Sequence, residues 1–205
     1  MDTKDVVGTY YCRSGGVVDS ASEMSWAQVQ AMYAGGWNIG NHTQSHSILT
    51  ELTDPQIVAE INACRADLAA HGITVGVDHM SYVGGNYSDR VIAAVQSAGI
   101  ISARTVANLA YPAFPFENVF TIKSVKPIEW PLTITEAKAW VDTIISQHSI
   151  GVAMFHTLVE TAGVAYEWGI ADFQSLIDYL VSTGVRVVTM AEAYDLYNGM
   201  KNYEF

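Results

Sequence analysis

The sequence predicts an α/β fold in which parallel strands alternate with helices. Short apolar runs rich in β-branched residues are separated by amphipathic stretches of roughly ten to sixteen residues, the pattern of repeated βα units. The run 151–155 is apolar at successive positions, as expected of a strand covered on both faces. No glycine-rich dinucleotide fingerprint follows any strand. This absence favours a closed or nearly closed β/α barrel over an open doubly wound sheet, although periodicity alone does not separate the two.

The elements follow one another along the chain with clear start and stop signals. Helix starts are marked by Ser25, Thr53 and Ser88, since serine and threonine favour the capping position just before a helix. Asp54-Pro55 after Thr53 strengthens the second start, because proline favours the beginning of a helix. The predicted strands are 6–12, 37–40, 79–82, 100–103, 119–122, 150–155 and 185–189. The predicted helices start at Ser25, Thr53 and Ser88 and continue with 135–147, 171–182 and 191–197.

Length and composition predict a single domain spanning residues 1–205. The chain has 205 residues and 50% hydrophobic residues, enough for one full core and unlike a disordered chain. Ten basic against 21 acidic residues give a net charge of −11, which disfavours nucleic acid and anionic membrane surfaces as partners. No apolar run reaches the roughly 20 residues of a membrane helix, and the first five residues lack the core of a signal peptide. Cys12 and Cys64 are expected to be buried thiols.

Polar residues that follow predicted strands are the candidates for chemistry, because function in a β/α barrel lies at the carboxyl ends of its strands. His42 and His46 follow the strand 37–40, and their spacing lets both imidazoles point at one divalent metal. The segment 82–86 follows the strand at His79. The two histidines are surrounded in sequence by polar residues whose hydrogen bonds could fix the imidazole tautomers, namely Asn41, Thr43 and Ser45.

His156 ends the apolar strand 150–155 and is either a structural histidine or, opposite a metal, a general acid. We assign no chemistry to His71 and His148, which lie near helix ends, and expect His79 to be structural. Loop aromatics are expected to pack within their loops or to stack on sugar faces. They are Tyr111, Phe114, Phe116, Trp130, Tyr166 and Trp168.

Three segments resemble the motifs of polysaccharide deacetylases, the NodB-homology domain of carbohydrate esterase family four. Residues 36–46, Gly-Trp-Asn-Ile-Gly-Asn-His-Thr-Gln-Ser-His, match the family run Gly-x-x-Ile-Gly-Asn-His-Thr/Ser-x-x-His. Residues 81–87 are similar to the third motif, with Val83 in place of the usual proline, and 152–156 resemble the last motif, an apolar strand ending in histidine. Residues 184–193 resemble the final strand and helix of the family.

The resemblance implies a distorted (β/α) barrel that removes acetyl groups from a polysaccharide with a divalent metal, usually zinc. By match, His42 and His46 are the metal ligands and His156 protonates the leaving amine or alkoxide. A backbone N–H in the turn formed by Tyr82, Gly84 and Gly85 would stabilise the oxyanion. The family works in the cell envelope or outside the cell, so that location is expected here.

The first family motif, Thr-Phe-Asp-Asp, has no counterpart in the chain, so the first βα unit of the barrel is expected to be missing. Asp2 and Asp5 precede the first strand and fall at the wrong end of it, whereas Asp19 falls at the correct end. The sequence assigns no carboxylate partner to His156, because the region that would supply it matches the family poorly around Lys123, Glu129 and Trp130. The gap left by the missing strand is expected to be closed by a homo-oligomer, by swapping, or by a distorted neighbouring element.

Two functions therefore remain open from the sequence. The first is a metal-dependent deacetylase acting on an acetylated polysaccharide or oligosaccharide. The alternative is a catalytically inactive barrel that binds glycan or serves as a structural module, since loss of the carboxylate base typically costs about 10²–10⁴-fold in rate.

Overall fold

The computed structural model describes residues 6–16, 24–106, 114–123 and 125–201, which form two compact units. The larger unit contains the described residues of 7–105, 118–122 and 188–201. The smaller unit contains those of 106–117 and 123–187, together with Val6. The single domain over residues 1–205 stays a prediction.

A four-stranded parallel sheet forms the centre of the larger unit. Its strands are β1 (Thr9–Cys12), β2 (Asn38–Asn41), β3 (His79–Ser81) and β4 (Ser102–Arg104), hydrogen-bonded in that order. β1 and β2 are in register from Thr9 opposite Asn38 to Cys12 opposite Asn41. Because all four strands run the same way, their carboxyl ends lie along one edge, and β2 leads directly into the histidine segment.

Within the described residues six α-helices form, and the starts predicted at Ser25, Thr53 and Ser88 are confirmed. Ser25 accepts the N–H of Gln28 while the Gln28 side chain accepts the N–H of Ser25, a reciprocal cap. The helices are α1 (Trp26–Ala34), α2 (Asp54–Ala70), α3 (Asp89–Ser97), α4 (Ile134–Ser146), α5 (Ile170–Thr183) and α6 (Met190–Lys201).

The smaller unit contains two pairs of short parallel strands. β5 (Val125–Pro127) pairs with β6 (Val152–Met154), and β7 (Thr157–Val159) pairs with β8 (Glu167–Gly169). Helices α4 and α5 pack on an apolar cluster that includes Trp140, Trp168 and Leu176. Phe155, directly after β6, packs against the rings of Trp168 and Phe173 and anchors the strand end.

The parallel α/β architecture is confirmed, and two of the predicted strands are corrected. Residues 185–189 form no strand; Val187 is 38% exposed, and Thr189 caps α6 by accepting the N–H of Glu192. The predicted strand 119–122 is reduced to one bridge, between Ile122 and Arg104. The strands of the described residues form three separate sheets, and within these residues the sheets do not close into a barrel.

Candidate active site

The structure brings His42 and His46 together immediately after β2. Their Nε2 atoms lie 3.2 Å apart, and the two rings meet at 70° with centroids 4.9 Å apart. His42 is half-buried, whereas His46 is exposed. The two nitrogens therefore converge on one point that solvent and ligands can reach.

The tautomer of His42 is set by a backbone carbonyl. Its Nδ1 lies 2.8 Å from the carbonyl oxygen of Ser81, at the end of β3. Because a carbonyl only accepts, Nδ1 must carry the proton, and the lone pair of the neutral ring is on Nε2, which faces His46.

The pair fits a divalent metal. With metal–nitrogen bonds of about 2.05 Å, the observed 3.2 Å separation corresponds to an angle of about 103° at the metal, close to tetrahedral. Among the described residues no group of three or more histidines, cysteines or acidic residues could complete such a site. Asp2, Asp5 and Asp19 lie outside the described residues.

Asn41 fixes the start of the histidine loop. It is fully buried; its Nδ2 donates to the carbonyl of Ile61 in α2, and its Oδ1 accepts the N–H of Thr43, both at 3.0 Å. Thr43 in turn accepts the N–H of His46 through Oγ1 at 3.0 Å. Thr43 and His46 adopt positive φ of 67° and 65°, a strained backbone that these bonds stabilise.

Carboxylates of α2 hold the outer part of the same loop. Glu60 accepts the N–H groups of Gln44 and Ser45 at 3.1 and 2.8 Å and the Ser45 hydroxyl at 2.8 Å. Asp67 accepts the Gln44 side chain at 3.1 Å and the Ser14 hydroxyl at 2.6 Å. Helix α2 thus fixes the loop that carries both imidazoles before any ligand binds.

The turn after β3 contains the three residues predicted to supply an oxyanion donor, and the N–H groups of two of them already donate hydrogen bonds to backbone carbonyls. The N–H of Tyr82 donates to the carbonyl of Arg104, and that of Gly85 donates to the carbonyl of Tyr82, both at 3.0 Å. The Tyr82 ring is 1% exposed and packs in the core. Tyr82 and Gly85 therefore support the turn, and the candidate donor narrows to Gly84, which has φ of 61°.

A half-buried tyrosine with a buried hydroxyl group lies next to β2. Gly40 makes room for the Tyr11 ring, since a Cβ there would lie 2.7 Å from a Tyr11 ring carbon. Burial raises the pKa of Tyr11 to about 12, so its hydroxyl stays protonated, and the Arg104 guanidinium lies over the ring at 4.9 Å. Cys12 and Cys64 are buried free thiols, as predicted, and burial raises the pKa of Cys12 to about 12.

In the smaller unit, His156 contacts an acid and an aromatic ring. Its Nδ1 lies 3.1 Å from Oε2 of Glu129, and its ring meets that of Tyr166 edge to face at 4.9 Å. The His156 side chain is 42% exposed. The carboxylate orients the imidazole and leaves Nε2 available to exchange a proton.

Glu129 is the partner that sequence analysis did not assign to His156. It follows β5, which the sequence did not predict because Pro127 argues against a strand. β5 is nonetheless formed; among the described residues it pairs with β6 alone, so it is an edge strand there and tolerates proline. The available signal was an acidic residue directly before Trp130.

Two further histidines, His71 and His79, have structural contacts. His79 is 5% exposed, and its Nδ1 is hydrogen-bonded to the Ser102 hydroxyl at 2.7 Å. Burial lowers the pKa of His79, so the ring is neutral. His71 donates from Nδ1 to the carbonyl of Asp67 and stacks on Trp26.

The family model for polysaccharide deacetylases matches residues 1–103 of the sequence. The chain belongs to the polysaccharide deacetylase family. The match includes both histidines of the loop and the turn after β3. A search of curated proteins finds no significant match.

Solved structures share the fold of this family member at low identity. A family 4 acetyl xylan esterase from Clostridium thermocellum, in complex with a cobalt ion, is 18% identical over 95% of this chain and 80% of its own, with a TM-score of 0.62. The Xyl-CE4 domain of a multidomain xylanase from the hindgut metagenome of Trinervitermes trinervoides is 12% identical over 96% and 80%, with a TM-score of 0.57. The predicted fold class, that of the deacetylases, is confirmed.

Other relatives are longer than this chain. A polysaccharide deacetylase from Bacillus cereus is 15% identical over 82% of this chain, with a TM-score of 0.50. The chain spans 41% of that protein and 40% of a Bacillus anthracis relative. Within the described residues, no helix is both long and apolar enough to span a bilayer.

Proposed function

We propose that this chain removes acetyl groups from a polysaccharide by metal-dependent hydrolysis, with zinc held by His42 and His46. The observation that carries the proposal is the 3.2 Å approach of two Nε2 atoms on a loop fixed by Asn41 and Glu60. A loop fixed in this way holds both Nε2 atoms in position before the metal arrives, which lowers the ordering cost of metal binding.

Bound zinc would polarise the acetyl carbonyl and lower the pKa of a water molecule, so that the water could lose a proton to solvent and attack the carbonyl as hydroxide. His42 and His46 would hold the ion, with the Ser81 carbonyl keeping the His42 ring in the ligating tautomer. The N–H of Gly84 would donate to the carbonyl oxygen as negative charge develops on it. His156, oriented by Glu129, would give its proton to the departing amine or alkoxide.

The substrate class is proposed from the relatives. One solved relative is an acetyl xylan esterase and another is a polysaccharide deacetylase. An acetylated polysaccharide or oligosaccharide is therefore the proposed substrate, with both N-acetyl and O-acetyl groups to be tested. Action in the cell envelope or outside the cell, and a homo-oligomeric state, stay predictions.

The test combines zinc content with acetate release from acetylated chitooligosaccharide and from acetylxylan. We expect the wild type to contain zinc and release acetate from at least one substrate, and His42→Ala to lose both. His148→Ala is the matched control, because that histidine is exposed and lies outside the site. Acetate release by His42→Ala at the wild-type rate would contradict the proposal.

The alternative is a glycan-binding module without catalysis. It is favoured by one observation: the described residues supply two metal ligands and no third. Binding of acetylated chitooligosaccharide without acetate release, in protein saturated with zinc, would support the alternative over the deacetylase.

A further inference from the structure

Two of the aromatic residues predicted to lie in loops, Trp130 and Tyr166, expose large parts of their rings to solvent. Phe116 is 5% exposed, and Trp168, which lies in β8 rather than in the predicted loop, is 2% exposed. Tyr111 lies outside the described residues. Trp130 and Tyr166 are instead 47% and 61% exposed. Exposed aromatic rings of this size are typical of binding surfaces, because covering them with an apolar face releases water.

Tyr166 is exposed but held in place. Its carbonyl accepts the N–H of Thr157 at 2.9 Å, which ties it to β7 beside His156. The carboxylate of the next residue, Glu167, accepts the N–H groups of Gly163 and Val164 at 3.2 and 3.4 Å and closes the turn before it. The backbone of Tyr166 has φ of 70°, a conformation that costs free energy for a tyrosine.

The ring of Tyr166 lies directly against the candidate acid. It meets the His156 ring at 80° with a centroid distance of 4.9 Å. A group that stacked on Tyr166 would therefore lie next to the imidazole. The fixed position of the ring lowers the entropy cost of such stacking.

The surrounding charge is negative. The chain has no lysine or arginine between Lys138 and Arg186. Glu129 contacts His156, and Glu167 adjoins Tyr166 in the chain. Such a surface attracts cationic ligands, repels carboxylates and leaves the binding of neutral ligands unchanged.

We propose that Tyr166 is a sugar-stacking residue that places a neutral or amino-sugar ring beside His156 and discriminates against uronic acids. The proposal rests on the proposed deacetylase function and names the part of its substrate that the smaller unit contacts. Pyranose rings present an apolar C–H face to the aromatic ring, and the acidic side chains account for the charge preference.

Binding of tetrasaccharides without acetyl groups tests the proposal separately from catalysis. Calorimetry on the full chain would compare a glucosamine tetramer, xylotetraose and tetragalacturonate. We expect the glucosamine tetramer to bind at least tenfold more tightly than tetragalacturonate, and the difference to shrink at high salt. Tyr166→Ala should weaken glucosamine-tetramer binding at least tenfold, whereas Tyr166→Phe should stay within twofold of wild type.

Two further measurements separate stacking from a structural effect. Tyr166→Gly also removes the ring but suits the positive φ, so it should weaken binding as Tyr166→Ala does while the fold is kept. For acetate release, the loss should appear in KM more than in kcat. Unchanged binding in Tyr166→Gly, an equal loss in Tyr166→Phe, or no binding by the wild type would overturn the proposal. Tyr166-dependent binding without any acetate release would refute the deacetylase function alone.

Discussion

Replacing Asn41 by alanine tests how the histidine loop is held. The side chain is fully buried and makes two hydrogen bonds of 3.0 Å, one to the carbonyl of Ile61 and one from the N–H of Thr43. Asn41→Ala leaves the Thr43 N–H buried without its acceptor, at a cost of about 1–3 kcal/mol, and loses a second bond worth about 1 kcal/mol. We expect the free energy of unfolding to fall by about 2–4 kcal/mol.

The assay is urea unfolding followed by fluorescence, with the free energy extrapolated to water. Asn62→Ala is the matched control: this asparagine is exposed, and its amide oxygen accepts one bond from Arg65. We expect it to change the free energy of unfolding by less than about 0.5 kcal/mol. A loss below about 1 kcal/mol in Asn41→Ala would refute the view that this side chain organises the loop.

Three further predictions concern other parts of the two units. Gly40→Ala should destabilise the protein by about 1–3 kcal/mol in urea, because the new Cβ would lie 2.7 Å from the Tyr11 ring; a neutral effect would contradict this. Burial lowers the pKa of His79, so below pH 6.5 the unfolded chain binds a proton that the folded chain does not. Stability should therefore fall as the pH is lowered, and His79→Gln should flatten that dependence; an unchanged slope would exclude His79 as its cause. Glu129→Gln should lower kcat/KM for acetate release at least about tenfold and leave the fold intact, because it keeps the shape but removes the charge beside His156; activity equal to wild type would remove Glu129 from the site.

Sequence patterns predicted the helices better than the strands. Ser25, Thr53 and Ser88 mark helix starts through local hydrogen bonds, so the signal lies within a few residues. Strands of three or four residues depend on partners far along the chain. The apolar run 185–189 looked like a strand but has no partner strand among the described residues, whereas β7 and β8 were too short to predict.

The histidine loop was predictable because the spacing of its two histidines is encoded in five consecutive positions, 42–46. The clamp by Glu60 was not, since it depends on the direction in which α2 passes the loop. The pairing of Glu129 with His156 likewise joins residues 27 positions apart. Contacts of this kind depend on tertiary packing, which residue spacing does not specify.

Zinc binding measured by equilibrium dialysis tests the central claim most directly. The account predicts one zinc ion per wild-type chain, at least a tenfold loss of affinity in His42→Ala and in His46→Ala, and no change in His148→Ala. Wild-type affinity in the double variant His42→Ala/His46→Ala would contradict the account.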